Sequence, residues 1–157
     1  MVERFVFIRH GSYDKEGLDP RDRVDAPIND RGWEGAMAAG ELLVAWGIEP
    51  DLVVTTRTRR TWETAQVVLM AADLEAPVVT VEGGFAVGKS SLEEKLADWA
   101  SVTSAKTVVF VGHCKNQQYL KKYEDFPKTE AKARAAVAVY ERNELGGWTL
   151  VASAPGV

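Results

Sequence analysis

The chain has one cysteine, two histidines and no long apolar run, and each shortage excludes a class of chemistry. Cys114 alone makes no intrachain disulfide and no cysteine-rich zinc site. His10, His113 and Cys114 are the only imidazole and thiol ligands, and no carboxylate flanks either histidine closely. Zinc wants three or four such groups, so no metal site is expected. No Cys-x5-Arg phosphate loop follows Cys114, which reads as a small buried residue. Val67 to Ala72 is among the longest apolar stretches, far short of the ~18–20 residues of a membrane span. Glu3 and Arg4 fall inside the first strand-like run, which does not read as a signal peptide; the expectation is a cytoplasmic protein without a membrane partner. Positive charge is not in excess either. Nineteen Lys+Arg against 23 Asp+Glu leave a net charge of −4, which argues against a nucleic-acid partner.

What is present is an ordinary globular composition, 46% hydrophobic and 27% charged over 157 residues. That suits a single domain over residues 1–157. There is no repeat, low-complexity tract or linker. Arg4 to Ile8 is short, aromatic and β-branched, and reads as a first strand. A polar loop from Gly11 to about Ile28 follows, long enough to suggest function. The first helix is expected over Asp30 to Trp46, with Asn29 as N-cap and Gly47 as stop. Asp51 to Thr55 reads as a second strand and Thr58 to Ala72 as a second helix. Val78 to Val81 reads as a third strand, and Ser91 to Glu94 as a capping box opening a third helix. Thr107 to Val111 is nearly all apolar, as a strand buried on both faces should be. A helix over Asn116 to Tyr123 and strands over Ala136 to Arg142 and Trp148 to Ala154 complete the order. Alternating strands and helices predict an α/β fold: a three-layer sandwich with a mostly parallel central sheet and helices on both faces.

Ligands of such sheets bind beyond the carboxyl ends of the strands. Arg9-His10-Gly11 follows the first strand, Arg57, Arg59 and Arg60 follow the second, and Gly112-His113 ends the fourth. Guanidinium forks match phosphate oxygens, and a helix N-terminus adds N–H donors. A neutral imidazole is a competent nucleophile towards phosphorus, and neighbouring cations keep it unprotonated. Taken singly, each is more often a loop histidine or a solvated helix face; the signal is their conjunction. Trp62, two residues past Arg60, is a candidate to line the same pocket.

In these residues the chain resembles the histidine phosphatase superfamily, with its phosphoglycerate-mutase-like fold. The resemblance runs over nearly the whole chain, through Arg9-His10-Gly11, Pro27-Ile28-Asn29-Asp30-Arg31-Gly32, the block Thr55 to Ala65, and Val111-Gly112-His113. It implies His10 as the nucleophile that becomes phosphohistidine, with Arg9, Arg60 and His113 completing the phosphate pocket. It implies Ser12 and Asn29 at the rim, and no metal or other cofactor. Arg57 stands where the family often has proline, so it could add a cation one helical turn from Arg60. Glu82 is the one carboxyl placed to match the proton donor of larger members, against the alternative of a solvent-facing residue before Gly83-Gly84.

The short chain looks most like the bacterial phosphohistidine protein phosphatases. The expected activity is therefore metal-independent phosphatase chemistry through phospho-His10. The expected partner is a phosphorylated protein side chain, phosphohistidine first, or a small phosphoester, with phosphate or another oxyanion in the pocket. The alternatives are a non-catalytic phosphate- or phosphoprotein-binding module on the same scaffold and, last, a phosphosugar mutase. Expelling an imidazole needs less acid help than expelling an alkoxide, so the lack of a firm acid tilts the expectation towards phosphohistidine.

Overall fold

The computed structural model describes residues 1–82, 88–121 and 134–156. The strands are β1 (Arg4–Arg9), β2 (Leu52–Thr56), β3 (Val78–Val81), β4 (Thr107–Gly112), β5 (Val137–Arg142) and β6 (Trp148–Ala154). The helices are α1 (Asp30–Ala45), α2 (Arg59–Ala72), α3 (Gly88–Thr103) and α4 (Cys114–Lys121). One six-stranded sheet has the order β3-β2-β4-β1-β5-β6. β3, β2, β4 and β1 run parallel, and the hairpin of β5 and β6 is added antiparallel beside β1.

Two apolar layers follow from the alternation of side chains along the strands. Phe5 and Phe7 of β1 face one side, where Leu92, Leu96 and Trp99 of α3 cover them. Val6 and Ile8 face the other, under Ala36, Ala39 and Leu43 of α1 and Ala65 and Val68 of α2. The expected three-layer sandwich is thus the observed one. Trp99 stacks on Phe110 with ring centres 5.7 Å apart, and burial of a side chain such as Phe110 contributes about 1.5–3 kcal/mol. Small residues let α1 and α2 approach closely: a Cβ on Gly40 would lie 2.5 Å from the Val68 carbonyl oxygen.

Caps set the helix starts that matter for the site. Asn29 caps α1, its side chain accepting from the Gly32 N–H at 2.9 Å. Thr58 caps α2, accepting from the Thr61 N–H at 3.3 Å. Such caps are worth about 1 kcal/mol each.

Four expectations need correction. α3 starts at Gly88, which puts Ser91 inside the helix rather than at its cap. α4 starts at Cys114, directly after His113, because the Asn116 and Gln117 N–H groups already turn back onto the His113 carbonyl. The segment from Gly11 to Ile28 is partly ordered, with a 3-10 helix over Asp22–Asp25 and a bridge between Tyr13 and Ile28. Arg57 precedes the α2 cap, so it is not on a helical turn with Arg60. Gly83, Gly84, Phe85 and Tyr123 lie outside the described residues. Among those described, no helix is long and apolar enough to cross a membrane.

Candidate active site

The register of two strands brings the histidines together. Arg9 pairs with Gly112 across β1 and β4, so the next residue of each strand, His10 and His113, emerges side by side. Their ring centres are 5.1 Å apart. Thr55 pairs with Val111, which brings the end of β2 and the start of α2 to the same edge.

The backbone around His10 is held from three directions. Its N–H donates to the Gly112 carbonyl at 2.9 Å, and its carbonyl accepts from the Ala135 N–H at 3.2 Å. The next N–H, of Gly11, donates to Thr64 Oγ1 at 2.9 Å, and Thr64 Oγ1 donates to the Arg60 carbonyl at 2.6 Å. A side chain at Gly11 is excluded, since its Cβ would lie 2.8 Å from the Gly32 carbonyl oxygen. The third residue of Arg-His-Gly is therefore glycine because the start of α1 packs against it.

His10 is buried, and its Nδ1 lies 2.8 Å from the Gly11 carbonyl oxygen. A carbonyl only accepts, so Nδ1 carries the proton and Nε2 keeps its lone pair. Burial lowers its pKa to about 3, against the raising effect of the Gly11 carbonyl, with the charges of His113, Arg60 and Arg9 adding to the fall. His113 is lowered to about 4 by burial first and then by Arg60, Arg9 and Lys115. Both imidazoles are neutral at pH 7.

Threonines settle the tautomer of His113. Thr61 Oγ1 lies 2.9 Å from the Thr56 carbonyl and 3.0 Å from the Thr58 carbonyl, so its proton goes to the backbone. The Thr56 hydroxyl donates to Thr61 Oγ1 at 3.1 Å. Thr56 Oγ1 is left to accept from His113 Nε2–H at 2.9 Å. Asn116 Oδ1 accepts the His113 backbone N–H at 2.9 Å.

These groups line a cleft of about 400 Å³ that contains Arg9, His10, Arg60 and His113, the four central residues expected from the sequence. It also contains Tyr13, Lys15, Thr58, Cys114, Lys115 and Arg134. Arg60 Nη1 donates to the Arg23 carbonyl at 2.7 Å, and its guanidinium carbon sits 4.5 Å from the centre of the Tyr13 ring. Arg134 approaches the same ring at 5.3 Å. Sequence reasoning missed Tyr13 and Arg134. Tyr13 lay within reach of it, three residues after His10; Arg134 carries no local signal, since only the fold returns the chain there. Cys114, expected as a buried filler, is half-buried in the cleft wall.

The remaining candidates lie elsewhere. Arg57 and Glu82 form an ion pair at 2.9 Å, with 66% and 77% of their side chains exposed, and neither lines the cleft. Asn29 spends its side chain on the Gly32 N–H and on Asp14 Oδ1, and borders a separate hollow with Asp14, Asp22 and Asp25. Ser12 is buried, and its carbonyl accepts the Asn29 N–H. Trp62 is 48% exposed and outside the cleft. Among the described residues, no group of three His, Cys, Asp or Glu converges as a metal site would require.

A buried, neutral imidazole in the wall of a cationic cleft, at the carboxyl edge of a parallel sheet, fits a class: α/β proteins that engage phosphoryl groups through histidine. The chain belongs to the histidine phosphatase superfamily (branch 1), whose family profile matches residues 5–154. The fold is similar to that of the protein histidine phosphatase SixA solved with tungstate, with a TM-score of 0.77 and 15% identity over 97% of this chain and 96% of that one. It is also similar to a mycobacterial glucosyl-3-phosphoglycerate phosphatase in complex with VO3, with a TM-score of 0.61 and 17% identity over 96% and 98% of the two chains. At these identities the likeness is one of fold. A 2,3-bisphosphoglycerate-dependent phosphoglycerate mutase of Nocardia farcinica is 39% identical over 74 residues, which are 46% of this chain and 30% of the mutase.

Proposed function

We propose that the protein is a metal-independent phosphatase that works through a phosphohistidine on His10. The observation that carries this reading is the 2.8 Å contact between His10 Nδ1 and the Gly11 carbonyl, which leaves Nε2 unprotonated in a cleft rich in guanidinium groups. Nε2 attacks phosphorus as the bond to the leaving group breaks, and the leaving group takes up a proton. Arg9 and Arg60 hold the transferring oxygens, with the His113 ring packed beside His10. Water then attacks phosphorus, the N–P bond breaks, phosphate departs and Nε2 regains its lone pair.

The substrate we favour is a phosphohistidine side chain of another protein, with a small phosphomonoester second. Support comes from the cleft wall: among the described residues it holds no carboxyl group, and Glu82 is turned to solvent against Arg57. Expelling an alkoxide gains about 10²–10⁴-fold from a positioned acid, whereas an imidazole leaves as a neutral base once protonated.

Rapid quench with labelled substrate is expected to trap an acid-labile, alkali-stable phosphoenzyme in the wild type and none in His10→Ala. Label on serine or cysteine, or activity retained by His10→Ala, overturns the mechanism. Tight oxyanion binding with no phosphoenzyme would instead mark a binding module.

A further inference from the structure

We propose that Tyr13 is a positioning residue: its ring face, together with the Arg23 carbonyl, clamps the Arg60 guanidinium in the orientation that meets the transferred phosphoryl. The inference rests on the reading of the cleft as the phosphoryl site and adds what sets the geometry of its cation.

Arg60 needs such a support. It leaves the first turn of α2 among other cations: Arg9, Lys15, Lys115 and Arg134 line the same cleft, and among the described residues no carboxylate does. Burial disfavours the Arg60 cation most, and the charges of Arg134 and Arg23 add to that. A long side chain repelled by its neighbours keeps one orientation only if something fixes it. An acidic partner would fix it, but would also cancel the charge that a phosphoryl group is to meet. A carbonyl oxygen and an aromatic face attract a guanidinium and leave its full charge in place.

The segment between β1 and α1 supplies both, which gives a role to a connection of unusual length for a compact domain. The Arg23 carbonyl lies at the end of the 3-10 helix Asp22–Asp25, where it accepts from the Ala26 N–H at 3.3 Å and from Arg60 Nη1 at 2.7 Å. The Arg60 guanidinium carbon is 4.5 Å from the centre of the Tyr13 ring, inside the reach of about 6 Å for a cation–π contact. Arg134 lies against the same ring at 5.3 Å, so the ring attracts both cations and offsets their repulsion. Tyr13 is itself held in place. Its backbone bridges to Ile28, and the Ser12 carbonyl before it accepts from the Asn29 N–H at 2.9 Å. The His10 ring packs against it at 69°, with ring centres 5.6 Å apart. One side chain thus touches both the nucleophile and the cation that orients its target. Arg60 Nε is buried without an acceptor among the described residues, so the clamp does not use up the donors of the guanidinium.

The test reads binding and geometry rather than turnover. Tungstate affinity of the full chain is measured by calorimetry. The Arg60 side-chain protons are followed by NMR, assigned by their absence in Arg60→Lys; an overlying ring shifts them upfield. The wild type is expected to show upfield-shifted Arg60 signals. Tyr13→Leu should lose that shift and bind tungstate roughly 5–30-fold more weakly, the worth of a partly desolvated cation–π contact. Tyr13→Phe keeps the ring and should recover most of the affinity and the shift. Tyr13→Glu should bind more weakly than Tyr13→Leu, because a carboxylate beside Arg60 repels the oxyanion. Unshifted Arg60 signals in the wild type overturn the clamp, as does wild-type affinity in Tyr13→Leu or tighter binding by Tyr13→Glu. A loss in Tyr13→Phe as large as in Tyr13→Leu overturns it too, since the hydroxyl would then carry the role. If Tyr13→Leu fails to fold by circular dichroism, the wild-type signals and Tyr13→Phe still decide. The His10 reading fails separately, through absence of the phosphoenzyme. Ring-dependent tungstate binding without a phosphoenzyme would keep the clamp on Arg60 and remove the phosphatase.

Discussion

At the residue scale, the site turns on which nitrogen or hydroxyl carries which proton. Thr56 is the acceptor for His113 Nε2–H, and no apolar group can replace it there. Thr56→Val keeps the shape but leaves a partly buried N–H unsatisfied, a cost of about 1–3 kcal/mol. The expected result is a loss of roughly tenfold or more in kcat/KM, with Thr56→Ser recovering most of it. Recovery by serine separates positioning of the ring from a packing defect. Neighbouring arginines should also differ sharply. Arg60 lines the cleft, whereas Arg59 forms a surface pair with Glu63 at 3.5 Å. Arg60→Ala should lower kcat/KM by roughly 10²–10³-fold, as loss of a preorganised donor does. Arg59→Ala should cost little, since a partly exposed i,i+4 pair contributes about 0.3–0.5 kcal/mol. Equal losses in steady-state assays would mean that Arg59 serves the site as much as Arg60 does.

At the scale of elements, the site depends on α1 and α2 lying close together. α2 supplies Arg60 and the Thr64 hydroxyl that holds Gly11, and α1 begins at the Gly32 that Gly11 packs against. Gly40 lets the helices approach: an added Cβ would meet the Val68 carbonyl oxygen at 2.5 Å and the Ala71 Cβ at 2.9 Å. Backbone cannot move aside as a flexible side chain can. Gly40→Val should therefore destabilise the protein by roughly 1–3 kcal/mol, lowering Tm by several degrees in a thermal melt. A melting temperature equal to wild type would show that the helices can separate at no cost. Elsewhere on the same helices, Trp33, Met37 and Trp62 are more than 40% exposed, so apolar residues at helical spacing do not by themselves mark the buried face.

At the scale of the whole molecule, a chain with a net charge of −4 presents a cationic cleft, a field that draws anions to one place and leaves the rest of the surface acidic. Folding also holds two histidines neutral, at about 3 for His10 and about 4 for His113, against 6.5 for an unperturbed histidine. Their pKa values are depressed, so between 6.5 and those values the unfolded chain binds more protons than the folded one. Stability therefore rises with pH across that window, is fully present above 6.5, and is lost as pH falls towards 4 and 3. Thermal melts should show Tm falling as pH drops below about 6, with a smaller fall in His113→Ala. The free protein has only two imidazoles to follow by NMR. Neither should titrate between about pH 8 and pH 5; a midpoint near 6.5 for either would contradict the burial that lowers it.

The amino-acid sequence alone determined the order of elements, because periodicity, caps and apolar runs are local properties. β3 and β6 span the residues expected of them, and Asn29 caps α1 as read. It also marked Arg9, His10, Arg60 and His113, because each ends a strand, or follows one within a few residues, at the carboxyl edge that must face a ligand. Pairing and direction were not legible there. Only the adjacency of β1 and β4, in a register that matches Arg9 to Gly112, sets the two histidines 5.1 Å apart. Only the antiparallel return of β5 beside β1 brings Arg134 to Tyr13. Side-chain direction was decided at that level too. Glu82 follows a strand in sequence, as the site residues do, yet β3 is the edge strand farthest from β1, and Glu82 pairs with Arg57 in solvent. Sequence carries what a residue and its near neighbours prefer; which distant residues share a site depends on strand order and register, and those are set by burying both faces of the sheet at once.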